Sequence, residues 1–169
     1  EANALAGPDT INLPAGTYAL SILGSGEDAA ATGDLDITDD LTISGAGPTA
    51  ASTVIDADGI DRVFQVVAGA SVEISGVTIT GGSALSGGGI ANSGNLEIIG
   101  STVDNNRAEG ESAAGGGISN DAVLTITNST VSNNHSDFYS GGILNNGYLV
   151  WIHGSTISGN SAERRAGGI

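Results

Sequence analysis

The sequence predicts an all-β solenoid, a parallel β-helix, on three observations. One passage occurs three times, as GGGIANSGNLEIIGSTVDNN (87–106), GGGISNDAVLTITNSTVSNN (115–134) and GGILNNGYLVWIHGSTISGN (141–160). The motif Gly-Gly-Ile begins at residues 88, 116, 141 and 167, with steps of 28, 25 and 26 residues, a period typical of solenoids. Each copy contains an apolar-x-apolar triplet followed by Thr-Val or Thr-Ile, which is typical of short β-strands and not of helices.

Three short strands per coil, with about 24 to 31 residues per coil, follow from this pattern. Residues one period apart then lie on neighbouring strands about 4.8 Å apart, so the copies predict columns of like residues. Three inward apolar columns are Leu41, Val72, Leu96, Leu124 and Val150; Ile43, Ile74, Ile98, Ile126 and Ile152; and Ile79, Val103, Val131 and Ile157. Two polar columns are Asn92, Asn120 and Asn145, and Asn106, Asn134 and Asn160. Stacked Asn side chains can bond to one another and accept the backbone of tight turns, so we interpret them as structural.

We interpret residues 1–33 as an N-terminal cap and a first partial coil. The segment 1–6 holds the only run of good helix formers and is expected to cover the first coil. Residues 9–20 predict a strand, a turn at 14–16 and a second strand. Residues 24–33 are small and acidic and have no period, which predicts a loop.

Residues 34–86 predict irregular coils, and residues 87–169 the regular Gly-Gly-Ile repeats. Strands are expected at 53–55 and 62–67, and loops at 107–114 and 135–140 on one edge of the solenoid. We treat residues 1–169 as a single domain and expect it to be a fragment of a longer protein.

The composition excludes several classes of protein. The net charge is −15, from 19 acidic and four basic residues. Four arginines do not make the basic stripe that nucleic acids or anionic membranes require. The absence of cysteine excludes disulfides and thiolate metal sites, and no apolar run approaches the roughly 20 residues of a membrane span.

Two groups of residues are weighed as chemical sites. Asp56, Asp58 and Asp61 surround a turn glycine and supply the oxygen ligands that Ca²⁺ prefers, so they are a candidate calcium site, with a solvated acidic turn as the alternative. Arg62 beside these carboxylates is the one grouping that would suit a polysaccharide lyase. In the later coils we expect no clustered pair of carboxylates of the kind that a glycoside hydrolase needs.

Aromatic residues concentrate near the end of the chain. Trp151 alternates with Val150 and Ile152, which are predicted to point inward, so its own side chain is predicted to point outward. With Tyr148 and Tyr139 it forms a candidate surface for binding a glycan or a protein, with packing over a neighbouring loop as the alternative.

These residues carry a family resemblance over nearly the whole chain. The opening EANALAGPDTINLPAGTYAL, the stretch DRVFQVVAGASVEISGVTITGG and the later repeats resemble secreted bacterial β-helix proteins known by an N-terminal Cys-Ser-Leu-Arg-Glu-Ala (CSLREA) motif. The repeats also resemble the Gly-Gly-x-Ile and x-x-Asn motifs of polymorphic outer-membrane proteins. The resemblance implies a right-handed parallel β-helix at or outside the cell surface, with no settled activity.

The expected function is that of a non-enzymatic extracellular module with a structural or adhesive role and no resident cofactor. A carbohydrate-active enzyme, lyase or hydrolase, or a glycan-binding module is the alternative. The Gly-Gly-Ile sequence at 167–169 matches the start of every earlier repeat. We therefore expect head-to-tail stacking, either between copies that form filaments or with the rest of a longer polypeptide. Other cell-surface proteins or glycans are the further expected partners.

Overall fold

The computed structural model describes residues 7–26, 31–47 and 49–169, which wind into a parallel β-helix. Every strand pair among these residues is parallel, and neighbouring strands of a sheet come from successive coils. The predicted fold class is therefore confirmed. The expected cap at 1–6 and the centre of the expected loop, residues 27–30, lie outside the described residues.

Three main sheets carry the three strands per coil that the repeats predict. Sheet A contains β1 (Asp9–Leu13), β4 (Leu41–Gly45), β7 (Ser71–Ser75), β11 (Asn95–Ile99), β15 (Val123–Thr127) and β19 (Leu149–His153). Sheet B contains β2 (Gly16–Ala19), β5 (Thr53–Asp56), β8 (Thr78–Thr80), β12 (Thr102–Asp104), β16 (Thr130–Ser132) and β20 (Thr156–Ser158). Sheet C contains β3 (Leu35–Ile37), β6 (Phe64–Val66), β10 (Ile90–Asn92), β14 (Ile118–Asn120) and β18 (Ile143–Asn145).

A fourth, narrow sheet was not predicted. Sheet D consists of two-residue strands: β9 (Ser83–Ala84), β13 (Arg107–Ala108), β17 (His135–Ser136) and β21 (Ser161–Ala162). The segments 107–114 and 135–140, predicted to be loops, therefore begin as strands. Each regular coil passes through sheets C, A, B and D in that order, and a short 3₁₀ helix, Ala50–Ser52, precedes β5 in an earlier coil.

The core is a set of stacked apolar columns. The three predicted columns are confirmed by the strand registers, in which Leu96 pairs with Leu124 and Ile98 with Ile126. Sheet C adds a fourth inward column, Phe64, Ile90, Ile118 and Ile143, each with almost no exposed surface. Burying each such side chain contributes about 1.5 to 3 kcal/mol, and each contacts its counterpart in the next coil.

The repeated Gly-Gly pair marks the place where the backbone of one coil packs most tightly. A Cβ atom on Gly116 would lie 2.2 Å from the carbonyl oxygen of His135 and 2.5 Å from that of Gly141. The equivalent Gly88 and Gly141 meet backbone atoms at similar distances. No side chain fits at this corner between sheets D and C, which explains the glycine at each copy of the motif.

The described residues contain no helix with the length and apolar character that a membrane crossing requires.

Candidate functional site

The six asparagines of the predicted polar columns form two stacks. Asn92 donates to the Oδ1 of Asn120 at 2.6 Å, and Asn120 donates to the Oδ1 of Asn145 at 2.7 Å. In the second stack Asn106 donates to the Oδ1 of Asn134, and Asn134 to the Oδ1 of Asn160, both at 3.0 Å. These side chains also bond to backbone groups of the neighbouring coil, as Asn134 does to the Val103 carbonyl. The stacks therefore link successive coils through their side chains.

A column of serines also forms hydrogen bonds between successive coils. Ser129 Oγ accepts from the Ser101 amide, and Ser155 Oγ accepts from the Ser129 amide, both at 3.1 Å. The Gly-Ser-Thr or Asn-Ser-Thr sequence of each copy indicates this column, but our sequence interpretation used only the Thr that follows the Ser.

The candidate calcium ligands point to different surroundings. Asp56 accepts from the backbone amide of Asp58 at 2.9 Å, and Asp58 itself is exposed. Asp61 is buried, with 3% of its surface exposed. Among the described residues the one group of three possible metal ligands within 4.8 Å of one another lies elsewhere, so the three carboxylates of this turn do not come within that distance of one another.

Asp61 belongs instead to a buried charge cluster around Arg62. The Arg62 guanidinium lies 3.5 Å from Asp34, whose side chain is 1% exposed, and it also donates to the side chain of Gln65. Asp36 is buried beside them. Burial raises the pKa of Asp34 to about 6, which Arg62 opposes and the charges of Asp36 and Asp61 reinforce.

This cluster is poorly suited to the lyase chemistry considered for Arg62. The Arg62 guanidinium is held by Asp34, and its Nε is buried without a hydrogen-bond partner. The Oδ2 of Asp61 is also buried without a hydrogen-bond partner. A groove of about 480 Å³ passes the cluster and reaches Glu109, and Arg62 lines it, but the guanidinium of this residue is already paired with the Asp34 carboxylate. Its role in the structure is to offset buried negative charge.

The outer face of sheet A carries the predicted aromatic surface. The side chain of Trp151 points outward and is 61% exposed, as predicted, and Tyr148 is 95% exposed. Leu149 is 48% exposed and pairs in register with Val123 of the coil below. We call Tyr148, Leu149, Trp151 and Val123 the sheet A patch. Tyr139 does not join it, because its ring packs edge-on against Phe138 with centroids 4.3 Å apart and lies beneath Arg165.

The same face holds a carboxylate pair that sequence reasoning missed. Glu73 and Glu97 are register partners on β7 and β11, which places them about 4.8 Å apart along the solenoid. They line a shallow groove of about 290 Å³ that continues to Thr125, the register partner of Trp151. The expectation that later coils contain no clustered carboxylate pair was wrong. The aligned triplets Val-Glu-Ile and Leu-Glu-Ile contained the signal.

Sheet D positions a second group that sequence reasoning missed. The segments Asn106-Arg-Ala-Glu109, Asn134-His-Ser-Asp137 and Asn160-Ser-Ala-Glu163 share an Asn-x-small-acid pattern. In the structure Arg107 pairs with His135 and His135 with Ser161, and the acidic residues follow two positions later. Arg107 bonds to Asp137 at 2.6 Å, and His135 lies 3.4 Å from the same oxygen. Among the described residues, His135, Asp137 and Glu163 are the one group of three potential metal ligands within 4.8 Å of one another.

No protein-family model, curated protein or solved structure matches the chain significantly. The functional interpretation therefore rests on the geometry of the chain and on the motif resemblance described above.

Proposed function

We propose that the chain is part of a non-enzymatic, extracellular β-helix with an adhesive role, and that the sheet A patch is its contact surface for a neutral polysaccharide. The observation that carries the proposal is the placement of Trp151 on sheet A and of Tyr148 in the bend directly before β19, with most of their surfaces exposed. An exposed aromatic ring costs apolar hydration and contributes nothing to the core, whereas it supplies a strong contact for a sugar ring or another partner.

Charge and neighbouring side chains define the expected ligand. The net charge of −15 disfavours an anionic polysaccharide. Around the patch lie Thr125, Thr127 and His153, whose polar groups flank the apolar centre on the same sheet. A neutral glycan can stack on the aromatic rings and bond to these groups. The resemblance to secreted β-helix proteins supports an extracellular setting, and the lack of cysteine is compatible with it.

A titration of the protein with neutral polysaccharides tests this proposal, with the fluorescence of the single tryptophan as the readout. We expect saturable binding that Tyr148→Ala weakens by about ten-fold or more, as substitution of an aromatic contact residue does. Trp151→Ala should do the same in a co-sedimentation assay. The matched control is Leu85→Ala, an exposed apolar residue outside the patch. Absence of binding, or equal binding by Trp151→Ala and the wild type, would contradict the proposal.

A hydrolase is the second candidate, because Glu73 and Glu97 lie in one groove beside the patch. Their strands lie about 4.8 Å apart, so the two side chains are within reach of the roughly 5 to 5.5 Å that separates the carboxyl groups of retaining glycosidases. We expect no new reducing ends from neutral polysaccharides or polyuronates. Turnover that Glu97→Gln abolishes, with Glu111→Gln as the matched control, would replace adhesion by catalysis.

We further propose stacking of the end coils. The edge strands β19 and β20 each lack a partner on one side in the described structure, and the core residues Val150, Ile152 and Ile157 beside them are only partly buried. At the other edge Ile11 and Leu35 are exposed. Such edges pair with a further coil of another copy or of the same polypeptide. Light scattering should show association that strengthens with salt, as screening reduces acidic repulsion. A monomer at every concentration and ionic strength would contradict stacking between copies.

A further inference from the structure

The edge formed by sheet D brings a histidine and two carboxylates from successive coils to one point. His135 lies on β17, Asp137 follows that strand, and Glu163 follows β21 in the next coil. The Glu163 amide donates to the Ser136 carbonyl at 3.1 Å, so the β-ladder fixes the backbone of this residue above Asp137. One ligand atom from each of the three side chains lies within 4.8 Å of the others.

The spacing of the first two groups is that of two ligands on one metal ion. The Nε2 of His135 lies 3.4 Å from the Oδ1 of Asp137, longer than a good charge-assisted hydrogen bond of about 2.7 to 2.9 Å. Two donors about 2.0 to 2.2 Å from a tetrahedral Zn²⁺ are separated by about 3.3 to 3.5 Å. The distance of 3.4 Å falls in that interval. The other ring nitrogen, Nδ1, lies 2.9 Å from the Ser161 hydroxyl, a contact of the kind that orients a metal-binding imidazole.

The surrounding groups orient the Asp137 carboxylate and leave room for further ligands. The amide of Gly110 donates to the Asp137 Oδ2 at 3.0 Å. Arg107 orients the Asp137 carboxylate from the side, through a bond of 2.6 Å. An open groove of about 550 Å³ borders Asp137 and Glu163, so water or a ligand group has access to the remaining coordination positions.

We propose that His135, Asp137 and Glu163 bind one Zn²⁺ ion. Mixed imidazole and carboxylate ligands favour zinc over Ca²⁺, which takes oxygen ligands. The ion would join two successive coils through side chains that otherwise lie on the surface. This site is separate from the sheet A patch and does not depend on the function proposed for that patch.

Isothermal titration of the chelator-treated protein with Zn²⁺ tests the proposal, in buffer containing excess Mg²⁺ to suppress diffuse binding to this acidic chain. We expect one ion per chain. His135→Ala and Glu163→Gln should each weaken binding by at least about ten-fold, as loss of a ligand exceeds the effect of losing a supporting contact. The chain has two histidines, so His153→Ala is the matched control and should bind as the wild type.

A second measurement keeps the result independent of folding defects. In the wild type, Co²⁺ should give the visible absorption of a tetrahedral N/O site, and Zn²⁺ should displace it. His135→Gln, with a circular dichroism spectrum to verify its fold, should lose that absorption. Binding with the same affinity in the His135 variants, no saturable zinc binding by the wild type, or binding that His153→Ala abolishes would each overturn the assignment.

Discussion

The regular coils of residues 87–160 and the earlier coils accommodate buried polar groups in different ways. In the regular coils Asn134 is fully buried, yet its side chain bonds to the coil below and to the coil above. In the earlier coils Asp34, Asp61 and Arg62 lie close together, and each has a buried side-chain atom without a hydrogen bond. Like residues one period apart satisfy each other, whereas unlike residues depend on charge compensation.

The largest expected effect breaks the regular coils at the glycine corner. Gly116→Ala places a Cβ against the carbonyl oxygens of His135 and Gly141, which backbone strands cannot avoid without moving apart. We expect a loss of about 3 kcal/mol or more in the free energy of unfolding, at the upper end for overpacking. Urea denaturation measures it. Gly100→Ala is the control: its φ of +53° disfavours a side chain but nothing lies within 4 Å, so about 1 to 2 kcal/mol is expected. Equal losses at the two glycines would contradict the close-packing explanation.

Asn134→Ala removes the centre of an asparagine stack. It leaves the Val103 carbonyl and the Asn106 amide without their side-chain partner inside the solenoid. Stranding such groups costs about 1 to 3 kcal/mol each, and we expect a total near 3 kcal/mol. The control is Asn146→Ala, an exposed residue bonded to Asp121, for which about 0.5 kcal/mol or less is expected. A thermal melt of Asn134→Ala like that of the wild type would show that the stack does not stabilise the fold.

Asp34→Asn tests the charge cluster of the earlier coils. The folded-state pKa of about 6 lies above the unfolded value of 3.8, so ionisation of Asp34 opposes folding. Stability from this group is complete below pH 3.8 and is lost as the pH rises through 6. Above pH 6 the loss reaches up to about 3 kcal/mol. We expect Asp34→Asn to recover most of it at pH 7.5 and to gain nothing near pH 4.

Asp39 supplies the control, because its pKa is lowered on folding and its stability contribution depends on pH in the opposite direction. Amides of Asp40 and Gly7 donate to Asp39 and lower its pKa, so its contribution is present above the unfolded value and is lost on acidification. Asp39→Asn should therefore destabilise the protein at neutral pH and converge with the wild type in acid. The two variants are compared by denaturation over pH 4 to 7.5. If the stability of both variants changed with pH in the same way, the result would contradict the raised pKa of Asp34.

The smallest effect is expected at the surface of the regular coils. Trp151 is mostly exposed, so Trp151→Ala should change the free energy of unfolding by about 0.5 kcal/mol or less. Leu124→Ala, in the buried column one residue and one coil away from it, should cost about 2 to 5 kcal/mol. A large loss at Trp151 would mean that this side chain stabilises the fold and would weaken the case for a contact surface.

The sequence was most informative where neighbouring coils repeat one another. The apolar columns through Leu96 and Ile98 and the outward direction of Trp151 followed from alternation and a period, and the structure confirms them. Sheet D escaped detection because strands of two residues, such as His135–Ser136, are too short to show alternation.

The remaining features depend on contacts between segments whose sequences are not related by the repeat. Nothing in the local sequence links Asp34 to Arg62, which are distant in the chain and meet only because the early coils close irregularly. The His135 group was accessible in principle, since an acid follows each terminal asparagine of the repeats at the same distance. Treating residues 135–140 as a variable loop concealed that regularity.

The nearest-neighbour pairing of the coils also determines how such a chain can change length. Residues 116–140 make up one complete turn of 141 − 116 = 25 residues. The same columns of residues pair with the coil before this turn and with the coil after it. A tandem duplication of this segment would create a join between surfaces that already match. The molecule would lengthen by about 4.8 Å, the spacing of adjacent strands, with every other register preserved. Evolution and protein engineering can therefore extend this molecule in whole turns, whereas a gain of a few residues within a strand would disturb four sheets at once.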